Sequence, residues 1–411
     1  MVDLRQEIDF SAALGWLERF VSMPLVFGAL AAATFAIAWN RGIALIYALF
    51  AILAAVLVVS VLGPRAMLRA AALRFALPVE SSVGEFISVG VALEPLRWPA
   101  RRYFVNLAAP FPFAPGHDVF MSACGRGYAR TQRVPCVRRG LFELREARAS
   151  CAYPVGIFSA ARTLPVNPVH ITVFPRVHPV RRFPLPPGSA RLSGELERPA
   201  PSVGQELFRE VREYRSGDNP RHIHWRSSAR HDRLMVKQFD AIATSETLIV
   251  LDLDEHSHDE RGDSFERAVE IAATLASHLI GHGQRCGVAG GAAEDEAPRL
   301  FLAPGAGATH LRAVLYALAA VQPGASSRYA SVLSALAPQY RRGQQWILFD
   351  HGATRPALPF FLRGQLAPLW FRFDRASFAE EDDGAHPPAP PARLADGFAI
   401  ARDTDLSLLF R

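Results

Sequence analysis

Two uncharged stretches near the start of the chain constrain its folding more than anything that follows them. From Met23 to Trp39 every residue is apolar except Thr34, and from Ile43 to Ser60 no charged residue occurs. A helix crosses a bilayer core with ~20 apolar residues; both runs approach that length, the first nearer the short limit. Asn40-Arg41-Gly42 between them reads as a tight turn, with Trp39 at its edge suited to the headgroup layer. The expectation is a transmembrane hairpin over residues 23–62. A cleaved signal peptide would show one short apolar core and a small-residue cleavage site, whereas here two runs are followed by Gly63-Pro64-Arg65. Arg5 and Arg19 precede the hairpin and Arg65, Arg69 and Arg74 follow it, against Arg41 alone in the turn. The positive-inside rule then puts both termini in the cytoplasm of a multi-pass protein. Residues 1–22 mix Leu4, Ile8, Leu14, Leu17, Phe20 and Val21 with charges and read as an interfacial helix on the inner leaflet.

The rest of the chain reads as soluble. At ~150 residues per domain, 411 residues predict two or three domains, and a chain that is 50% hydrophobic and 20% charged is not disordered. Cys124, Cys136, Cys151 and Cys286 have neither CxxC nor metal-ligand spacing, which fits a reduced compartment. The net charge is +6 and Lys237 is the single lysine, so the positive charge is carried by arginine. Arginine suits phosphate and carboxylate partners equally. Its densest cluster is interleaved with acids and shows no nucleic-acid-binding pattern, so no nucleic-acid partner is expected.

Residues 75–180 carry a period-two signal: Ile87, Val89, Val91 and Leu93 alternate with small or polar residues. Strand-like pieces recur at Tyr103–Val105, Val119–Met121, Leu141–Leu144 and Ile171–Phe174 between Pro- and Gly-containing turns, and a β-sandwich-like domain is predicted. Residues 181–204 are rich in Pro, Gly and Ser without period and read as a linker.

From residue 245 to 411 the pattern becomes β-α-β. Thr247–Leu251 and Trp346–Phe349 are continuous apolar runs suited to strands buried on both faces. Phe265, Ala268, Val269, Ala272, Leu275, Ala276 and Leu279 form one helical stripe, with Asp263 or Ser264 as N-cap and Gly281 and Gly283 past its end; Leu311, Val314, Leu315 and Leu318 form another. This predicts a doubly wound α/β domain, whose ligands bind at the C-terminal ends of strands. Asp252, Asp254 and Asp350 fall at that edge, where acids also serve as caps and turn formers.

Residues 205–240 are the most distinctive stretch. Ser216-Gly217-Asp218 is turn chemistry, and Asn219 before Pro220 reads as an N-cap with proline at the first helical position of a short helix through Trp225 to Arg230, followed by an extended segment. The string R-E-Y-x-x-G-D-x-P-R-x-I-x-W-x-x-S-A-R, with L-x-V-K-x-F after it, comprises Arg212, Tyr214, Gly217, Asp218, Pro220, Arg221, Trp225, Ala229 and Arg230 among its fixed positions. It resembles the signature of domain-of-unknown-function family 58. Upstream, Tyr153-Pro154-Val155-Gly156-Ile157-Phe158 and Val173-Phe174-Pro175 are similar to that family's Asp-Pro-Phe-Gly turn and Val-Tyr-Pro strand end. His224 stands where the family commonly has Asp, which bears on any ion pair made there.

The resemblance implies a membrane-anchored protein with a β-rich middle and a von Willebrand factor A-like C-terminal domain, associated with a MoxR-type AAA+ ATPase in the assembly or maturation of complexes. A metal-ion-dependent adhesion site in such a domain uses D-x-S-x-S, a Thr and a further Asp around octahedral Mg²⁺. Here the first element reads Asp252-Leu-Asp254-Glu-His256, with Thr309 and Asp350 as the remaining candidate ligands, so both serines are replaced and a degenerate site is expected. His222 with His224, and His256 with His258, lack the further ligands of a zinc site.

Two functions remain open. One is a non-enzymatic scaffold in the bacterial inner membrane that binds lipid and an AAA+ partner, its signature segment acting as a contact site or as a clasp between domains. The other is a metal-dependent hydrolase at Asp252, Asp254 and Asp350. No P-loop, GxSxG, HExxH or Gly-rich dinucleotide motif occurs to favour an enzyme, and no cofactor is expected beyond Mg²⁺ at the degenerate site.

Overall fold

The computed structural model describes residues 23–69, 71–95, 101–125, 129–156, 158–182, 207–214, 223–240, 246–292, 298–324, 329–340, 344–352, 368–379 and 389–411. The chain divides into two compact units, one ending at Val173 and the other beginning at Phe174. The expected interfacial helix over residues 1–22, and the linker beyond Arg182, lie outside the described residues. Arg181 and Arg182, at the start of that linker, both donate their amides to the Phe410 carbonyl, which ties them to the second unit.

The first unit opens with helices α1 (Met23–Arg41) and α2 (Ala44–Leu68). Gly42 between them has φ +61°, a left-handed conformation that glycine adopts without steric cost. The Phe35 and Phe50 rings then meet at 4.9 Å across the pair. Of the two, Ala44–Leu68 is long and apolar enough to cross a membrane, while the apolar part of α1, Leu25–Arg41, is shorter. One helix of spanning length therefore stands where the sequence reading expected a hairpin, with the first run at the short limit already read for it. Helix α2 also outruns its expected end, continuing through Pro64, because a proline so close to the last turn removes one ladder bond and leaves the rest intact.

After α2 come eight strands: β1 (Ala71–Ala76), β2 (Glu80–Ser82), β3 (Phe86–Pro95), β4 (Arg101–Ala108), β5 (Val119–Gly125), β6 (Ala129–Pro135), β7 (Gly140–Cys151) and β8 (Ala160–Phe174). The alternation read in the sequence is real: Ile87, Val89, Val91 and Leu93 of β3 are all buried. A sandwich predicts two separate sheets, but hydrogen bonding is continuous in the order β5-β4-β7-β8-β1-β3-β6, with β2 on β8. Buried residues from both ends of that order, Val134 of β6 and Met121 of β5 among them, share one core, so the sheet folds over onto itself. Arg102 on β4 is fully buried and closes the end of α2, donating through Nη1 to the Met67 carbonyl and through Nη2 to the Arg69 carbonyl at 2.7 Å. Helix-end carbonyls lack partners within their own helix, and a cation there also meets the negative end of the helix dipole.

The second unit contains a ribbon of β9 (Leu207–Glu213) and β10 (Met235–Asp240), with helix α3 (Trp225–His231) between them in sequence. Its main sheet has the order β13-β12-β11-β14-β15-β17-β16. The central strands are β11 (Glu246–Leu251), β12 (Arg285–Ala292), β14 (Gln345–Asp350), β15 (Leu369–Phe373) and β17 (Gly397–Ile400), all parallel. The edges β13 (Pro298–Gly305) and β16 (Ala392–Leu394) run antiparallel. Ile249 and Leu251 of β11 face a core built with α4 (Asp263–Gly281) and α5 (Ala308–Ala320), while Leu248 and Val250 face α6 (Tyr329–Leu336). Cover on both faces is why β11 reads as an unbroken apolar run. The α4 stripe is buried as predicted. Its cap differs: Gly262 occupies the N-cap with φ +75°, and the Asp259 carboxylate takes the amides of Asp263 and Ser264 in place of a side chain from either of those residues.

Candidate functional site

The chain passes from β11 through α4 to β12 on one side, and β14 pairs with β11 on the other, so strand order reverses at β11/β14. In open α/β sheets ligands bind outside the carboxyl ends of the strands at such a switch point. Asp252 and Asp350 each lie two residues beyond the paired Val250 and Leu348, which sets them side by side at this point. Both are buried, Asp252 to 1% exposure.

Two histidines that sequence reasoning left out of the site complete it. A 3₁₀ turn at Glu255–Ser257 sends His256 into solvent and His258 inward, where its ring meets that of His351 at 4.2 Å and the edge of Phe265 at 5.0 Å. His258 Nε2 lies 3.1 Å from the Asp252 carbonyl, and His351 Nε2 lies 3.4 Å from that of Ser264. The hydroxyl of Tyr329 donates to the carbonyl of Val250 at 3.3 Å. No periodic pattern marks His258 or His351; the sequence signal is their place after strand-end acids, His351 directly after Asp350 and His258 six residues after Asp252.

Burial dominates the electrostatics. Asp252 is pushed up to about 7 chiefly by burial, with the nearby Asp254 and Asp350 carboxylates adding to it and the Asp254 amide and Ser257 side chain opposing it. His258 is pushed down to about 4 by burial, and His351 lies well below its usual value through burial and the neighbouring His258. Burial, aided by Asp252 and Asp350, raises the Tyr329 hydroxyl well above its ordinary range. For Asp259 burial works upward, yet the Ser264 hydroxyl, its amide and the Asp263 amide outweigh it and hold the carboxylate low. Burial thus favours the uncharged forms of Asp252, His258 and His351, while Asp259 stays a carboxylate held by local donors.

These residues do not fit octahedral Mg²⁺. One oxygen of Asp252 accepts the Asp254 amide, Asp254 Oδ1 accepts the His256 amide to cap the 3₁₀ turn, and Asp350 Oδ1 accepts the Gly352 amide, each at 3.0 Å. Thr309 lies at the other end of the sheet. Strand β13 is antiparallel, so its last residue, Gly305, sits opposite Cys286 at the start of β12, and His310 beside Thr309 bonds the Cys286 carbonyl at 2.8 Å. Among the described residues no three His, Cys, Asp or Glu side chains are gathered to hold a metal.

The signature segment forms a second feature. Arg212 pairs with Val236 across the ribbon, and the Tyr214 amide donates to the Leu234 carbonyl at 2.8 Å. Gly217, Asp218, Pro220 and Arg221 lie outside the described residues. The helix predicted to start at Asn219-Pro220 is the seven-residue α3, and its N-cap is His224, whose Nδ1 accepts the Ser227 amide at 3.3 Å and pairs with Ser227 Oγ at 2.6 Å. Imidazole here fills the N-cap role that Asp, Asn, Ser or Thr side chains usually fill. Ser228, the serine of the S-A-R string, locks helix to strand: its hydroxyl donates to the His224 carbonyl and accepts the Met235 amide at 2.9 Å. Trp225 is 68% exposed, and Arg226, Ala229 and Arg230 are exposed on the same helix. Arg233 meets Glu213 at 3.4 Å, with both side chains in solvent.

No curated protein matches the chain. Residues 210–353, which take in β10, α3, the strand-end cluster and β14, match the model of the family described as protein of unknown function DUF58, and the match supports placing this part of the chain in that family.

Proposed function

We propose that the protein is a membrane-anchored, non-enzymatic scaffold that presents the signature helix to a protein partner, in the expected case a MoxR-type AAA+ ATPase acting on the assembly of complexes. The observation that carries this reading is Trp225, a large aromatic side chain in solvent beside exposed arginine at Arg226 and Arg230. Trp and Arg are the residue types that most often dominate binding energy at interfaces. A clasp within the chain would instead bury them. Support for a von Willebrand factor A-like domain comes from the parallel sheet with antiparallel β13 at its edge. Burial of Asp252 and Asp350 behind local backbone bonds favours a structural role over hydrolysis.

The anchor is helix α2, assisted by α1 in a hairpin. Leu45, Ile52, Val58 and Leu62 of α2 are exposed, and each large apolar side chain left in water forgoes ~1.5–3 kcal/mol of burial. A bilayer removes that cost. Arg65 and Arg69 at the end of α2 favour cytoplasmic placement of the strands that follow, in a bacterial inner membrane. Co-purification of the full chain with the ATPase from detergent extract tests the partner: retention of the complex by Trp225→Ala and Arg230→Ala variants overturns the contact site. Reporter fusions at Arg41 and at the C-terminus test the topology, which fails on a periplasmic C-terminus.

A further inference from the structure

The level at which α2 would leave the bilayer coincides with an exposed aromatic corner of the strand-rich unit. Apolar exposure on α2 ends at Leu62, and Arg65 follows three residues later. Between them Gly63 is pressed against the loop after β7: a Cβ built there would fall 2.9 Å from Pro154 Cδ and 3.1 Å from the Tyr153 carbonyl oxygen. From that contact the rings run outward without a break. Tyr153 lies 5.2 Å from Tyr103 and 5.7 Å from Phe104, and Phe104 lies 6.1 Å from Phe120. Phe104 and Phe120 are 49% and 46% exposed, and Val155 beside Tyr153 is exposed as well. Phe104 holds this place at φ +52°, a conformation disfavoured for a bulky residue. Strain kept at an exposed aromatic points to function more than to packing.

Positive charge surrounds the rings. Arg65 and Arg69 continue α2, Arg101 precedes the ring-bearing part of β4, and Arg130 donates to the Phe120 carbonyl at 2.6 Å; all four are exposed. Tyrosine and other aromatic rings favour the headgroup layer, and arginine favours anionic lipid phosphates.

We propose that Tyr103, Phe104, Phe120 and Tyr153 form a second membrane contact, entering the headgroup layer of the leaflet from which α2 emerges while the arginines meet anionic phospholipid. The strand-rich unit then rests on the leaflet through its own surface as well as through its anchor. This inference rests on the membrane-anchored reading, and the test separates the two.

Full-length protein carrying a nitroxide label at Phe104→Cys, Phe120→Cys, Leu62→Cys or Ser334→Cys, with the unsubstituted chain as labelling blank, is reconstituted into phosphatidylethanolamine–phosphatidylglycerol vesicles. The expected result is that labels at 104 and 120 lose relaxation by a water-soluble nickel chelate relative to 334, that 62 is shielded further, and that phosphatidylcholine vesicles weaken the shielding at 104 and 120. A lipid-embedded label at 62 with 104 and 120 as accessible as 334 overturns the second contact and leaves the anchor standing. An aqueous label at 62 overturns the anchor and this inference together. Equal shielding in both lipids overturns the role given to the arginines. Phe120 sits on ordinary strand backbone, so its label decides the matter if the substitution at 104 disturbs folding.

Discussion

His351 Nδ1 lies 4.0 Å from Oδ2 of Asp252, with both side chains almost wholly buried. That spacing is too long for a hydrogen bond, and an ion pair would need a charge on a histidine that burial keeps neutral. Burial thus favours the neutral forms of both groups, and this fixes the sign of each group's own response to pH.

Asp252 binds its proton more tightly folded, at about 7, than unfolded, near 3.8. Its contribution to stability is complete below the unfolded value and is lost as pH rises through the folded one. The loss is on the order of 4 kcal/mol at 1.36 kcal/mol per unit. Asp252→Asn keeps an oxygen acceptor for the Asp254 amide and removes the titration. Thermal unfolding of the variant and the parent should coincide near pH 4 and diverge toward pH 8, where the variant is the more stable. Parallel curves across that range would refute the assignment.

His258 acts in the opposite direction. Its folded value near 4 lies below the unfolded 6.5, so its contribution is present above 6.5 and is lost as pH falls through 4; the depressed His351 adds to the same trend. In the parent the acid and the histidines offset one another across this window. The Asp252→Asn variant should therefore lose stability between pH 6.5 and 4 more steeply than the parent, and adding His258→Gln should flatten that slope in urea unfolding.

Arg102 holds the junction between α2 and the strands. Arg102→Met removes two charge-assisted bonds to helix-end carbonyls and should cost about 2–4 kcal/mol. Arg102→Lys should recover only part of this, because lysine lacks the planar fork that reaches both carbonyls. Unfolding of the full chain in detergent measures both.

Trp225→Ala should change stability by no more than about 0.5 kcal/mol, as expected for an exposed surface position. It should weaken capture of the partner by roughly 30-fold, the equivalent of a 2 kcal/mol hot spot. A variant that unfolds early would mark the tryptophan as a clasp.

Local order was legible wherever one element alone could reveal it. The stripe from Phe265 to Leu279, the alternation from Ile87 to Leu93 and the apolar run of β11 each repeat within a few residues, so pattern was sufficient. Strand β12, Arg285–Ala292, carried no such signal, since its glycines interrupt any apolar run. Gly287 stands where a Cβ would meet the backbone of β13, which is a requirement of the tertiary packing. The observed N-cap of α3, His224, carried no N-cap signal in the sequence, and the Asn219-Pro220 start read there lies outside the described residues.

By itself the sequence determined the apolar character of the N-terminal helices, the change from strand-rich to α/β organisation, and the placing of Asp252 and Asp350 at strand ends, because hydrophobic period and turn chemistry are local properties. Only the tertiary structure decided that those acids stand side by side with His258 and His351 and that Thr309 lies at the opposite end of the sheet. Strand order and direction are set by hydrogen bonds between distant segments, and one antiparallel edge strand is enough to carry a candidate ligand away from the site.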